Sequence, residues 1–394
     1  MNIVKLSIVS ASILFLAQNL SAIEMTDYKL AESFFDESYI GMTFDLKDGN
    51  QDQTSYNGTF MGDYKAKYNS IPYAWDFDLN GVANVSKGAN DGDDSEENYQ
   101  FNSIGNFDKY LDGYDKLFVY GTGQAGFRKA SGSDADDPFL KIGAGVGYGR
   151  MYEATPLAKA LRITEDLIAY DLINPLSDST MLKLANVIDR ESEFKSKHGL
   201  REYKKFWYEA IEATFKEDGA LKGPNLGAFG IVRIDEVLFI ERVSPRYHGW
   251  LVRGGVGQIL SNYDGESTDP TVDLAFEYGL PIGYKAQFYN KTLYSTILGD
   301  DVGHIFTNHM SYTYELSDRI DWENNWDFIY NKSSDENIED VITNSITSTF
   351  RYYLANRLSF STTLSLFGVE DDIDDNGNDD WETRINLGLT YRLK

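Results

Sequence analysis

The chain has 394 residues, no cysteine and a formal net charge of −26. The absence of thiols excludes disulfides, a lipid anchor on Cys and thiolate metal sites. The acidity excludes nucleic acid as an expected partner. Aromatic residues still make up 14% of the chain, with 27 Tyr. That combination suits strands with one apolar and one polar face, because alternation hides apolar strands from any windowed average.

Residues 1–22 read as a signal peptide. Lys5 supplies the charge, Leu6 to Ala17 the short apolar run, and Leu20-Ser21-Ala22 the cleavage site. No other run approaches the roughly 18 apolar residues of a membrane-crossing helix. Residues 23–151 then alternate with period two. Ile40, Met42, Phe44 and Leu46 oppose Tyr39, Gly41, Thr43, Asp45 and Lys47. Tyr56, Phe60, Tyr64 and Tyr68 oppose Asn57, Thr59, Asp63, Lys65 and Lys67. Tyr73, Trp75, Phe77, Leu79 and Val85 oppose Asp76, Asp78, Asn80 and Asn84. Weaker strands follow near 99–109 and 116–129, and a sixth runs from Phe139 to Met151.

Residues 152–245 change period. Thr155-Pro156 reads as an N-cap followed by Pro at the first helical position. Leu157, Leu161, Ile168 and Leu172 follow at helical spacing, and Pro175 stops the run. Ser177 or Asp178 can cap a second helix bearing Leu182, Ala185 and Ile188. A third is expected from Leu200 to Lys216, with Tyr203, Phe206, Trp207, Ile211 and Phe215 on its face. Ile234–Val243 fits either a helix or a short strand.

Residues 246–394 return to alternation, with strands near 247–260, 284–298, 304–316 and 341–355 and three cleaner ones. Val272, Leu274, Phe276, Tyr278 and Leu280 oppose Asp273 and Glu277. Trp322, Trp326, Phe328 and Tyr330 oppose Asp321, Glu323, Asn325 and Asp327. Leu358, Phe360, Leu364 and Leu366 oppose a row of Ser and Thr. The 284–298 segment has a muddled pattern. In the last stretch Ile385, Leu387, Leu389, Tyr391 and Leu393 point one way, and Arg384, Asn386, Gly388, Thr390 and Arg392 the other.

Asn386, Gly388, Tyr391 and Leu393 resemble the C-terminal assembly signal of Gram-negative outer-membrane β-barrels, although Lys394 departs from its usual aromatic end. The resemblance implies an outer-membrane location, membrane lipid around the wall, and recognition of the closing strand by the barrel-assembly machinery. The predicted fold is an all-β transmembrane barrel of about fourteen antiparallel strands with an α-helical insertion in mid-chain. Six strands precede the insertion and eight follow. Acidic loops alternate with tight turns, and long loops outside with short turns in the periplasm is the outer-membrane pattern. By parity the insertion starts on the periplasmic side, or folds up into the barrel. The closing strand is expected beside Tyr39–Lys47.

The candidate functional surface is the lumen. Lys65, Lys67, Asp76, Asp78, Arg253, Asp273, Glu277, His309, Glu323, Asp327, Arg351, Arg384 and Arg392 fall on polar faces. Such rings of charge set ion preference in pores, and the carboxylate excess predicts mild cation selectivity. Gly143, Gly145, Gly147 and Gly149 share one face, as do Gly255 and Gly257 beside Arg253. Glycine rows mark close approach of another backbone, so these are expected to contact the helical insertion as a plug; the alternative is that they only relieve curvature. Asp372, Asp374, Asn376 and Asp380 have the spacing of a calcium loop but lack its final bidentate Glu, which predicts weak Ca2+ binding.

The expected function is a channel for small solutes or ions, partly plugged by the insertion. A second reading is a barrel that anchors the insertion for a periplasmic protein, with exposed Trp207 and Tyr203 as its marker. A third is a barrel enzyme using His309 beside Thr307 and Ser311. No catalytic residue and no cofactor beyond Ca2+ is assigned.

Overall fold

The computed structural model describes residues 23–29, 32–241, 243–267, 269–299, 303–333, 339–355, 358–371 and 380–392, without the side chains of Phe35, Ala355 and Arg392. The signal peptide and the calcium-loop residues Asp372, Asp374 and Asn376 lie outside these residues; Asp380 lies within them.

Alternating apolar and polar residues dictate extended chain with two faces. The first six strands are β1 (Glu32–Lys47), β2 (Ser55–Ser70), β3 (Tyr73–Lys87), β4 (Ser95–Tyr110), β5 (Leu117–Lys129) and β6 (Phe139–Glu153). After the helices come β7 (Tyr247–Ser261), β8 (Thr271–Ile282), β9 (Ala286–Ile297) and β10 (His304–Ser317). The last are β11 (Ile320–Lys332), β12 (Val341–Ala355), β13 (Leu358–Glu370) and β14 (Glu382–Arg392). Each pairs antiparallel with its sequence neighbours, and β14 pairs with β1, closing a fourteen-strand barrel. The seam registers Tyr39 with Arg392, Ile40 with Tyr391 and Gly41 with Thr390, the contact expected of the closing strand.

The outward side chains are apolar and exposed: Ile40, Met42 and Phe44 on β1, Val146 on β6, Val256 on β7, and Ile385 and Leu387 on β14. A water-soluble barrel would not leave so continuous an apolar surface uncovered, whereas lipid stabilises it. No described helix is long and apolar enough to cross a membrane. The closed barrel satisfies its backbone by pairing between strands, which is the condition for spanning a bilayer with β structure. All tight turns fall at one end, and the longer loops at the other.

The helical insertion sits at the tight-turn end, between β6 and β7. It comprises α1 (Thr155–Ala169), α2 (Asp178–Asp189), α3 (Glu191–Glu217) and α4 (Gly227–Asp235), which continues as a π turn over Glu236–Ile240. Of the two candidate caps for α2, Ser177 is the one used, accepting from the Thr180 N–H, and Asp178 is the first helical residue. Thr155 does not cap α1. It is itself the first helical residue, and its hydroxyl accepts from the Arg246 N–H instead, tying the two ends of the insertion together. The third helix starts earlier than its apolar pattern suggests and tolerates a break at Gly199, where φ is 73°.

A short thiol cross-linker should join G41C and T390C in this cysteine-free chain. The linked barrel would then keep a compact mobility after heating in SDS. Failure to link would contradict the seam.

Candidate functional site

Parity along β7 and β8 turns Arg253 and Glu277 into the lumen. There they meet residues from the far wall. The Arg253 guanidinium donates to Asp108 on β4 at 2.7 and 3.1 Å and to Glu277 at 2.7 Å. Asp76 on β3 lies 3.7 Å away. The Tyr289 hydroxyl on β9 donates to Glu277 at 3.0 Å. Lys291 on β9 reaches Asp78 on β3 at 3.9 Å. The Lys67 ammonium lies over the Tyr247 ring at 4.6 Å and the Tyr289 ring at 5.5 Å. Since β2 and β9 stand opposite each other in the fourteen-strand ring, these contacts run across the lumen. Two walls, β2–β4 and β7–β9, are joined through the middle of the barrel.

The joint is dry. The Arg253, Asp108 and Glu277 side chains are 6%, 4% and 6% exposed. A guanidinium in that setting is stable only because its planar donors meet several carboxylates at once. Near the tight-turn end β2 is tied to β6 as well: Asn69 donates to the Met151 carbonyl at 2.9 Å, and Arg150 to the Ser70 and Ile71 carbonyls at 3.0 and 2.8 Å. A cavity of about 60 Å³ remains between the two ties, lined by Lys67, Asp76, Asp108, Glu153, Arg253 and Glu277 among others. It has room for only a few waters.

The glycine rows belong to this filled side, not to a helical plug. A Cβ at Gly145 would collide with the Gly254 carbonyl and the Tyr120 ring, and one at Gly147 with the Phe118 ring. A Cβ at Gly255 would strike the Ala144 carbonyl, and one at Gly257 the Asp273 and Thr271 side chains. At Gly143 it would meet Thr122, and at Gly149 the Trp250 carbonyl. The expected plug contact of Gly143, Gly145, Gly147, Gly149, Gly255 and Gly257 is therefore corrected. β6 and β7 fold sharply toward each other, and the buried rings of Phe118 and Tyr120 on β5 lie in the space so freed. Gly149 and Gly249 carry φ of 112° and 108°, a region in which an L side chain is strained. Beside that kink His248 is buried, although alternation with Trp250 and Val252 would turn it toward lipid. Its Nε2 lies 2.8 Å from the Tyr28 carbonyl, and its ring stacks on Tyr152.

The candidate residues on β10–β14 face a wetter wall. His309 pairs with Asp327 at 2.6 Å, their side chains 43% and 45% exposed. Arg351 lies 3.5 Å from Glu323. Arg384 pairs with Glu382 two residues away on β14. Between them Thr349 and Thr363 share a hydrogen bond of 2.9 Å. Lys65 stands opposite Glu37 on β1 and Asp78 on β3 in the register. Asp273 pairs with Lys141 at 2.5 Å. The Arg392 side chain lies outside the described residues. No histidine among the described residues is hydrogen-bonded to a serine hydroxyl, the contact a hydrolase would use. At the long-loop end a vestibule of about 580 Å³ is lined by Asp45, Lys47, Tyr56, Lys87, Asp93 and Glu96 among others.

The insertion has its own apolar core. Leu157, Ile163, Leu184, Ile211 and Phe215 are fully buried in it, together with Trp207, and Tyr203 is nearly so. Ile23, Met25 and Tyr28 join that core. It meets the barrel at the tight-turn rim. Glu315 at the end of β10 accepts from Arg246 at 2.7 Å, from the Ser244 N–H at 2.8 Å, and from Arg162. Arg246 also donates to the Tyr284 carbonyl at 3.0 Å, and Tyr284 to Glu165. Asp189, at the end of α2, is pushed up to about 8 by burial, with Glu153 and Glu32 adding to the rise.

No family model and no curated protein matches the chain. Among solved structures it is similar to OccAB1 of Acinetobacter baumannii, at 9% identity over 92% of this chain and 96% of that one, with a TM-score of 0.32. It is similar to a BenF-like porin from Pseudomonas fluorescens Pf-5, at 9% identity over 93% and 99%, with a TM-score of 0.32. It also matches the β domain of the Bordetella autotransporter BrkA, at 4% identity over 92% and 98%, with a TM-score of 0.27. Scores this low leave the argument with the closed sheet and its lipid-facing belt, which are those of an outer-membrane β-barrel.

Replacing Arg253 with Met strands buried carboxylates and should cost about 3–5 kcal/mol, read as a lower temperature for loss of the compact form in SDS. Asp189 binds its proton more tightly folded than unfolded. Its destabilising effect therefore begins as pH rises through the usual carboxylate range and is complete above about 8. Thermal unfolding of D189N should lose that slope between about pH 4 and 8, and gain stability at the upper end.

Proposed function

We propose that this barrel is an outer-membrane channel for small polar solutes or ions, conducting along the wetted wall formed by β10–β14 and β1. The observation that carries this reading is the contrast in exposure inside one lumen. Arg253, Asp108 and Glu277 are dry, whereas His309, Asp327, Glu323 and Arg351 keep water contact at the same polar parity. Polar groups that line a conduit must be both inward and hydrated. The transverse joint narrows the lumen from one side and leaves the other for passage.

The insertion supports a restricting role at the periplasmic mouth rather than a plug within the barrel. Its aromatic residues do not support the anchoring alternative, because Trp207 and Tyr203 are spent on its own core. Mild cation preference follows from the acidic vestibule, with Asp45, Asp93 and Glu96, and from Asp327 and Glu323 along the wall.

Planar-bilayer recording tests this reading. The full chain should give stable single-channel steps and a reversal potential on the cation side in a potassium chloride gradient. D327N combined with E323Q should move the potassium-to-chloride permeability ratio toward unity. A barrel that is folded yet gives no conductance would sink the proposal.

A further inference from the structure

One sector of the lipid-facing surface breaks the rule followed by the rest. Around most of the barrel the outward positions in mid-strand are apolar or small: Phe77 and Leu79 on β3, Val252 and Val256 on β7, Leu387 and Leu389 on β14. On β9 to β12 the outward parity instead carries Asn290, Thr292, Asn308, Asn324, Asn344 and Ser348. The registers place them together. Thr292 pairs with Asn308, Asn290 lies one outward position away, and Asn324 pairs with Ser348. Lys291, His309, Glu323 and Asp327 point inward between them, so this is not a slip of register.

These groups only partly satisfy one another. Asn290 donates to Asn308 at 2.7 Å, and Thr292 to Asn308 at 2.8 Å. Trp322 donates to Ser348 at 2.9 Å, and Trp326 to Asn344 at 3.4 Å. Asn308 and Asn344 accept in these bonds, but their own amide N–H groups have no acceptor among the described residues. Asn324 has no side-chain hydrogen bond there in either direction. All three are partly exposed on the surface that faces lipid. Acyl chains offer neither donors nor acceptors, so unpaired amides at this depth are costly and mark a surface that meets protein.

We infer that the β9–β12 face is an interface at which this chain associates with a second copy of itself in the membrane. The occupant is argued from complementarity. Each amide is both donor and acceptor, and the patch contains the unpaired donors of Asn308 and Asn344 and the unpaired acceptor of Asn324. A second copy therefore brings the groups that the first lacks, as a self-complementary interface requires. The surrounding rings already pack on one another, Tyr312 and Phe350 on Trp322 and Phe306 on Phe328. They present a preformed aromatic surface of the kind enriched at protein contacts.

The natural absence of cysteine makes the test direct. The full chain carrying N324C, and separately L387C on the far side of the barrel, is treated in outer membranes with a short bifunctional thiol reagent. Heat-dependent mobility in SDS confirms that both variants fold. A band at twice the chain mass from N324C and none from L387C is expected, and adding N308L and N344L to N324C should reduce that band at least several-fold. No doubled band, equal bands from both sites, or a product of another mass showing a different protein at the face would each overturn the inference.

Discussion

The Arg253 guanidinium sets the shape of this barrel. It draws Asp108 and Asp76 from one wall and Glu277 from the other into a site that excludes water. In such a place a lone charge of either sign is prohibitively expensive, so the groups hold each other in position. Everything nearby conforms. Lys291 and Lys67 extend the joint along the same walls, and Tyr289 supplies a further donor to Glu277. The sharp fold between β6 and β7 exists because glycine leaves no Cβ to oppose it, and Phe118 and Tyr120 complete the filling. The barrel is closed as a sheet but asymmetric as a conduit.

That asymmetry connects the wall to the insertion. The strands that flank the joint, β6 and β7, are those between which the helices emerge. The insertion is therefore rooted where the lumen is already filled. Its docking uses one barrel carboxylate, Glu315, which accepts from Arg246, Arg162 and a backbone N–H. Removing either arginine alone would leave that carboxylate underbonded in a buried place. The insertion thus behaves as a small folded unit with its own core, fastened to the rim by charge-assisted bonds.

Much of this was legible in the chain. Period two set the strands and their inner faces, parity placed the insertion after an even number of strands, and the closing strand found its expected neighbour. What sequence could not show is who meets whom across the lumen. Asp108 lay in a weakly patterned strand, and its partner Arg253 is 145 residues away. Lys291 and Tyr289 were hidden in the muddled 284–298 segment. The muddle has a cause: Asn290 and Thr292 stand on the lipid side, so polar residues occupy both faces there and the alternation blurs. A positive φ at Gly249 breaks the alternation beside His248, which is buried although it shares the parity of lipid-facing Trp250. At the glycine rows the groups a Cβ would meet are the neighbouring strand and β5 rings rather than a helix.

Thiol accessibility inside the lumen tests the two-sided lumen most directly. T363C on β13 and L251C on β7 both face inward, the first on the wetted wall and the second, only 4% exposed, on the filled side. A charged, membrane-impermeant thiol reagent added to the folded barrel should modify T363C rapidly and leave L251C largely unmodified over the same time. Equal rates at the two positions would contradict a lumen divided by the Arg253 joint.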